Sequence, residues 1–387
     1  MAKNFLPAVK VAFPVASVWF GAVVGPSMVS GAFAIVYFAP YGAWGIIFPM
    51  LAMAIAAVVI GMGANIARRF QAYEYNEYSR KLYGHFSKVL SPILEIYMLI
   101  AMCVGGSAVI AMSSVFLKDL FGLPELAGAI TMAIVCIVLV LWGDVLVRYA
   151  SSVMSVVMIA GLIILAVLII SQRSETMAEI IGEWYVPEDA NVKSGTAGAF
   201  ALGLSNCCNA LTLSSVEQKV KKSGECAAIG ILSFIMSSMA FILSTLMVLP
   251  YCPEALTDTI PVLNIIKQYL ITDVPWLHLV YVITMILALI SSGVPQLHAV
   301  ASRLDKIYPQ KWKSKIRKNA LSGVFYFAVC IVVSFLGLQT IINYGYSFLG
   351  YAAIPLLAVP ICIIWPIRWK KEKKKYNKND FEAERVS

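Results

Sequence analysis

Ten apolar stretches follow one another along the 387 residues, each close to the length that crosses a bilayer. A helix needs about 20 apolar residues to span the hydrocarbon core. The runs fall roughly at 11–38, 42–66, 88–117, 125–143, 151–171, 196–217, 226–250, 275–302, 319–338 and 340–366. Backbone N–H and C=O groups cannot be left bare in lipid, so a chain built this way folds as a bundle of membrane-spanning helices. The composition agrees: 60% of residues are hydrophobic and 13% are charged, against about a quarter charged in soluble domains. The first run is too long for the apolar core of a cleavable signal, and no leader is expected.

Charge placement gives the orientation. Of the 30 Lys and Arg residues, only Lys118, Arg173, Lys193 and Lys267 fall on one side of a ten-span arrangement, and the rest fall on the other. Positive loops resist translocation, so both termini are expected in the cytoplasm of a multi-pass plasma-membrane protein. The net charge of +9 sits in these loops and in a basic tail at 367–387. That placement argues for an orientation signal rather than nucleic acid. The eight cysteines form no zinc-type spacing and fall mostly inside apolar runs, where cysteine acts as a small hydrophobe. Cys252 is expected to be the one outside the membrane.

Two spans are made of poor helical material. Span 1 reads FGAVVGPSMVSGAF, with Gly21, Gly25, Pro26, Ser27, Ser30 and Gly31 in its middle. Span 6 reads GAFALGLSNCCNALTLSS, with Gly203, Ser205, Asn206 and Asn209. Each break opens a set of five spans, and an odd number of spans per set gives two halves of opposite orientation. The expected fold is therefore all-α and polytopic: ten transmembrane helices as two inverted five-helix repeats, 1–171 and 172–366, with helices 1 and 6 broken at the midplane. Unwound backbone at that depth survives only beside protein or water. Its freed carbonyls can coordinate a cation, and its N–H groups can hold an anionic group. Close helix packing is the other reading of the same small residues, and Gly21-x-x-x-Gly25 fits it.

The stretches GAVVGPSMVSGAFAIVYFAPYGAWG and YGAWGIIFPMLAMAIAAVVIGMGANIARRFQAYEYNEYSRKLYG resemble the start of the YkvI-like membrane-protein family, with Pro26-Ser27-Met28 in place of that family's Gly-Ala-Gly. That family resembles, more distantly, the amino acid–polyamine–organocation superfamily, with the five-plus-five fold of bacterial leucine transporters. The resemblance implies a secondary transporter in which spans 1, 2, 6 and 7 rock against the rest. In sodium-coupled members a cation lies between span 1 carbonyls and an Ala-x-x-Thr/Ser-Ser pattern in span 8. Here Ala288-Leu289-Ile290-Ser291-Ser292 matches the pattern, and Gly21 and Val24 would supply the carbonyls. Oxygen ligands suit a hard cation. Ser291 and Ser292 can equally bond back to their own helix.

Candidate solute contacts are Val24, Gly25, Ser27, Ser30 and Gly31 of span 1, Gly105 and Ser107 of span 3, and Ser205, Asn206 and Asn209 of span 6. No charged side chain lies in the broken segments, so a zwitterion bound by backbone dipoles is expected, with N–H groups near Ser30 and Gly31 on its carboxylate. Glu95 in span 3 is either a coupling group or the partner of a basic inner loop. Gln296 is a candidate for the inner pathway, and Asn343 and Tyr346 for an outer gate. The loop at 251–276 places Leu263, Ile266 and Leu270 at helical spacing, which predicts a lid helix near 254–270. No GxxxxGK[ST] phosphate loop is present, and no clustered His, Asp or Glu suggests an enzyme. A channel or solute sensor is the alternative. No cofactor is expected beyond Na+ as candidate coupling ion. The expected partners are a small-molecule substrate and membrane lipid, with no nucleic acid.

Overall fold

The computed structural model describes residues 5–141, 144–210, 219–305, 308–309 and 314–370, excepting the side chains of 5–6 and 144–152. The end of the expected span 6 and the tail past residue 370 lie outside the described residues. Among the described residues all regular structure is helical. Among the described residues seven helices are long and apolar enough to cross a membrane: Trp44–Phe70, Tyr75–Phe121, Val153–Gln172, Ser223–Tyr251, Trp276–Leu304, Lys315–Ser334 and Leu338–Lys370. These correspond to expected spans 2, 3, 5, 7, 8, 9 and 10. The remaining three expected spans are represented by shorter apolar helices, Pro7–Val23, Glu125–Leu141 and Val192–Ser205.

Span 1 is short because it breaks. The first helix, Phe5–Val23, ends before Gly25, and the chain resumes as Pro26–Val29 and then Ala32–Tyr37. Pro26 stands at the first helical position, where its missing N–H is no loss to the new helix. The same proline deprives the carbonyl of Ala22 of its usual donor. Gly31 separates the two outer pieces at φ +84, a left-handed conformation that side chains with a Cβ rarely adopt.

Span 6 breaks differently. Its helix Val192–Ser205 tightens into a 3-10 turn at Asn206–Cys208, with no extended residue before position 211. Gly203 is not part of that break. It lies inside the helix, where a Cβ would strike the carbonyl of Ala52 in span 2. Gly350 meets Ala201 in the same manner, so these glycines set how closely spans 2, 6 and 10 pack.

Span 10 is not a regular α-helix. It passes through π-helical turns at Ile341–Tyr346, Ile354–Ala358 and Pro360–Ile364. Pro355 and Pro360 remove backbone donors there, and wider turns absorb the loss. The Tyr75–Phe121 segment begins with a short helix, Tyr75–Tyr83, before Ser87–Phe121, and a second short helix, Ser174–Gly182, follows span 5. The 251–276 loop holds turns at Glu254–Thr257, Pro261–Ile265 and Ile266–Leu270.

Candidate functional site

The break in span 1 meets span 8. The last ladder bond of the Phe5–Val23 helix runs from Val24 N–H to the Phe20 carbonyl at 2.7 Å. Met28 N–H then turns to the Gly25 carbonyl at 3.1 Å rather than to Val24. The carbonyls of Gly21, Ala22 and Val24 are thereby released from the helical ladder. Gly25 faces Ser292: a Cβ on Gly25 would stand 3.0 Å from the Ser292 hydroxyl. Ser292 is 3% exposed, and its Oγ is buried with no hydrogen-bond partner among the described residues. A buried hydroxyl left unpaired costs about 1–3 kcal/mol. Ser291 beside it donates to the Ala288 carbonyl at 3.1 Å and lies 3.7 Å from Met158 Sδ. A hydroxyl that donates keeps its oxygen lone pairs, so Ser291 can still face a cation.

The five residues of the cation motif thus divide. Gly21 and Val24 bring carbonyls to the break, Ser292 brings an orphan oxygen against Gly25, and Ala288 and Ser291 are bonded to each other one turn away. This donor set fits a hard monovalent ion: neutral oxygens, buried, and one of them unsatisfied. Span 5 also reaches this corner. Ser155 Oγ donates to the Ser17 carbonyl at 3.1 Å and lies 3.9 Å from where a Gly21 Cβ would be. Ser17 Oγ is a second buried hydroxyl without a partner. Neither serine belongs to the span 8 pattern, and only the tertiary packing of spans 1 and 5 brings them in.

The solute candidates are buried but mostly engaged. Ser30 Oγ donates to the Ser27 carbonyl at 3.2 Å and accepts from Ala32 N–H at 3.2 Å. The N–H groups of Ser30 and Gly31 bond the carbonyls of Pro26 and Met28 at 2.9 and 3.1 Å. They are therefore not free for a carboxylate, contrary to the expectation from sequence. Backbone donors lie earlier, at Gly25 and Ser27, whose N–H groups make no backbone hydrogen bond among the described residues. Ser205 Oγ and Asn206 Nδ2 both donate to the Leu202 carbonyl, at 2.8 and 2.9 Å. Asn206 is 8% exposed and Asn209 is half-buried. Ser107 Oγ donates back to the Cys103 carbonyl at 2.7 Å. Gly105 is covered by Gln296, whose Nε2 would lie 2.8 Å from a Cβ there. Tyr326 completes that cluster, with its hydroxyl 2.8 Å from the Met102 carbonyl and 3.1 Å from Gln296 Oε1. Gln296 is thus held between spans 3 and 9.

Both ends of the bundle are closed by specific contacts. At one end, Val262 N–H donates to the Ser30 carbonyl at 3.1 Å, and Lys267 pairs with Asp119 at 2.7 Å. These seat the loop helices on the second half of span 1 and the end of span 3. Arg173 holds the same corner, with its guanidinium 4.7 and 5.0 Å from the rings of Tyr251 and Tyr269. Tyr346 packs edge-on against Phe33 at 5.1 Å, whereas Asn343 is exposed. At the opposite end Glu95 pairs with Arg303 at 2.8 Å, and Arg303 lies over the Tyr75 ring at 4.9 Å. Glu95 therefore joins spans 3 and 8.

No protein-family model matches the chain, and no curated protein matches it in sequence. Solved structures do match. A Na+-coupled sialic acid symporter, substrate-bound and outward-open with a novel Na+ site, has a TM-score of 0.66 at 15% identity, over 91% of this chain and 79% of its own. MhsT in complex with L-phenylalanine has a TM-score of 0.64 at 15% identity, over 92% of this chain and 96% of its own. Mhp1, a nucleobase-cation-symport-1 family transporter in a closed conformation, has a TM-score of 0.60 at 12% identity, over 90% of this chain and 77% of its own. The chain is similar to these proteins in fold: an all-α polytopic membrane protein of the leucine-transporter type.

Proposed function

We propose that this chain is a secondary active transporter that moves a small zwitterion, an amino acid or a related amine, by alternating access coupled to Na+. The reading places it with the YkvI-like proteins in the amino acid–polyamine–organocation superfamily. The observation that carries it is the unpartnered, buried Ser292 hydroxyl facing the broken backbone at Gly25. An orphan oxygen against freed carbonyls is costly in a packed bundle and is relieved by a cation. Gly21, Val24 and Ser292, with Ser291 and Ala288 beside them, would hold that ion. Its charge would lie beside the backbone at Gly25, where the N–H can take a carboxylate oxygen.

The three solved neighbours support the reading as cation-coupled or transport proteins of the same fold, one with an aromatic amino acid bound. The two halves, 1–171 and 172–366, would act as inverted repeats, with the plasma membrane as site and both termini cytoplasmic. The loop helices near 254–270 would act as the outer lid.

Purified protein in sealed vesicles tests the proposal. An inward Na+ gradient is expected to drive saturable accumulation of at least one amino acid above equilibrium. Binding without accumulation would favour a sensor on this scaffold. Flux that never exceeds equilibrium would favour a channel.

A further inference from the structure

Spans 2 and 7 leave a groove of about 480 Å³ between them, away from the break in span 1. Ala57, Gly61 and Met62 form one wall, and Ala227, Gly230 and Phe234 the other. The helices touch at its floor, where a Cβ on Gly61 would lie 3.5 Å from the Gly230 backbone. The lining is apolar except at one end, where Asn65 and Ser223 stand. On span 2 the groove runs from Ala54 to Asn65, which at a helical rise of about 1.5 Å is roughly 16 Å. That is close to the depth of one leaflet, about half of a 30 Å hydrocarbon core. An apolar groove of this length suits a hydrocarbon chain.

The polar end carries four basic residues and one buried acid, Glu225. Arg68 and Arg69 follow Asn65, and Lys221 and Lys222 precede Ser223. Arg68 is fixed there, with Nη2 on Asn65 Oδ1 at 2.8 Å and Nη1 on the Lys221 carbonyl at 3.1 Å. Arg69 donates to the same Asn65 oxygen at 3.4 Å and lies over the Trp369 ring at 4.1 Å. Both lysines are exposed. The nearby acid, Glu225, is turned away: its Oε2 accepts the backbone N–H groups of Lys221 and Lys222 at 2.6 and 2.9 Å. None of the four basic residues forms an ion pair among the described residues.

An apolar slot one leaflet deep, ending in four basic residues with no ion pair among the described residues, is complementary to one kind of molecule. We propose that this groove binds an anionic phospholipid, with an acyl chain lying between spans 2 and 7 and its phosphate at Lys221, Lys222 and the Arg68–Arg69 pair. Bound there, the lipid wedges the Gly61–Gly230 contact. It thereby couples the anionic-lipid content of the membrane to the packing of two spans that flank the site. The assignment stands on the groove's own geometry and does not depend on the transport reading.

The test titrates delipidated, detergent-purified protein with dioleoyl phosphatidylglycerol or dioleoyl phosphatidylcholine and counts bound lipid by native mass spectrometry. Wild type is expected to bind the anionic lipid at least about tenfold more tightly. Ala227→Phe, which fills the slot, should lose about tenfold in affinity for phosphatidylglycerol. Lys221→Gln with Lys222→Gln should lower phosphatidylglycerol affinity by about fivefold per lysine and leave phosphatidylcholine unchanged. Equal affinities for the two lipids in wild type, or undiminished phosphatidylglycerol binding in either variant, would overturn the proposal. A wild-type dimer that Ala227→Phe dissolves would also overturn it, by giving the groove to a second copy. If the phenylalanine variant does not fold, the exposed lysine pair decides alone.

Discussion

Ser292 Oγ lies 3.0 Å from the point where a side-chain carbon on Gly25 would stand, and no group among the described residues hydrogen-bonds it. Gly25 holds φ −91 and ψ −174, a backbone that alanine also adopts. Gly25→Ala should therefore fold, and its effect should be steric and local. It is expected to cost about 1–2 kcal/mol, as overpacking of a tight site does. It should also abolish any dependence of uptake on Na+, measured in vesicles with K+ as the control cation.

Gly31 presents the opposite case. It sits at φ +84, and a Cβ there would lie 2.8 Å from Val248 Cγ2 and 2.9 Å from Pro261 Cγ. Gly31→Ala should destabilise by about 2–3 kcal/mol through strain and overpacking. The same clash pushes the 261–270 helices off span 1 and breaks the bond from Val262 to Ser30. Hydrogen exchange over that segment should accelerate while span 7 stays protected.

Glu95 and Arg303 pair at 2.8 Å with side chains 34% and 20% exposed. Glu95→Gln leaves a half-buried guanidinium without its charge partner. The expected loss is about 1–2 kcal/mol, between the values for exposed and buried pairs, read from thermal unfolding. Exchanging the two residues, Glu95→Arg with Arg303→Glu, should recover part of it. A double exchange no better than the worse single variant would show that the geometry, and not the pairing, matters.

Cys252 lies beyond the end of span 7. Burial, reinforced by the charge of Glu254, pushes its thiol from 9.0 up to about 12. At pH 8 its thiolate population is then roughly a thousandfold below that of an ordinary cysteine. N-ethylmaleimide labelling, followed residue by residue by peptide mass spectrometry, should be slow at Cys252 between pH 7 and 9. The folded protein holds this proton more tightly than the unfolded chain does. The stability it contributes is therefore present below about pH 9 and falls as pH rises towards 12.

Much of the architecture was readable because a bilayer leaves few choices. Apolar run length gave the succession of spans, and Gly25-Pro26 gave the break, since proline cannot donate to Ala22. The Ser291-Ser292 pattern could be seen, but its orphan hydroxyl could not, because satisfaction is a tertiary property. Span 6 shares the composition of span 1 but lacks a proline, and it tightens rather than opens at Asn206. Gly203 looked like part of the span 6 break, and Gly105 like a solute contact. They instead admit the Ala52 carbonyl and the Gln296 side chain, contacts that no local pattern encodes. Ser155 and Arg303 were missed for the same reason: each acts through a helix distant in sequence.

The most direct test is the melting temperature of the purified protein in NaCl and in KCl at equal ionic strength, for wild type and for Ser292→Ala. A cation that binds only the folded state stabilises it by mass action. Wild type is expected to melt at least about 2 °C higher in Na+. Ser292→Ala should melt as well as wild type in K+, because it removes an unpaired buried hydroxyl, and should show no response to Na+. An equal Na+ shift in both proteins, or none in wild type, would contradict a cation site between Gly25 and Ser292.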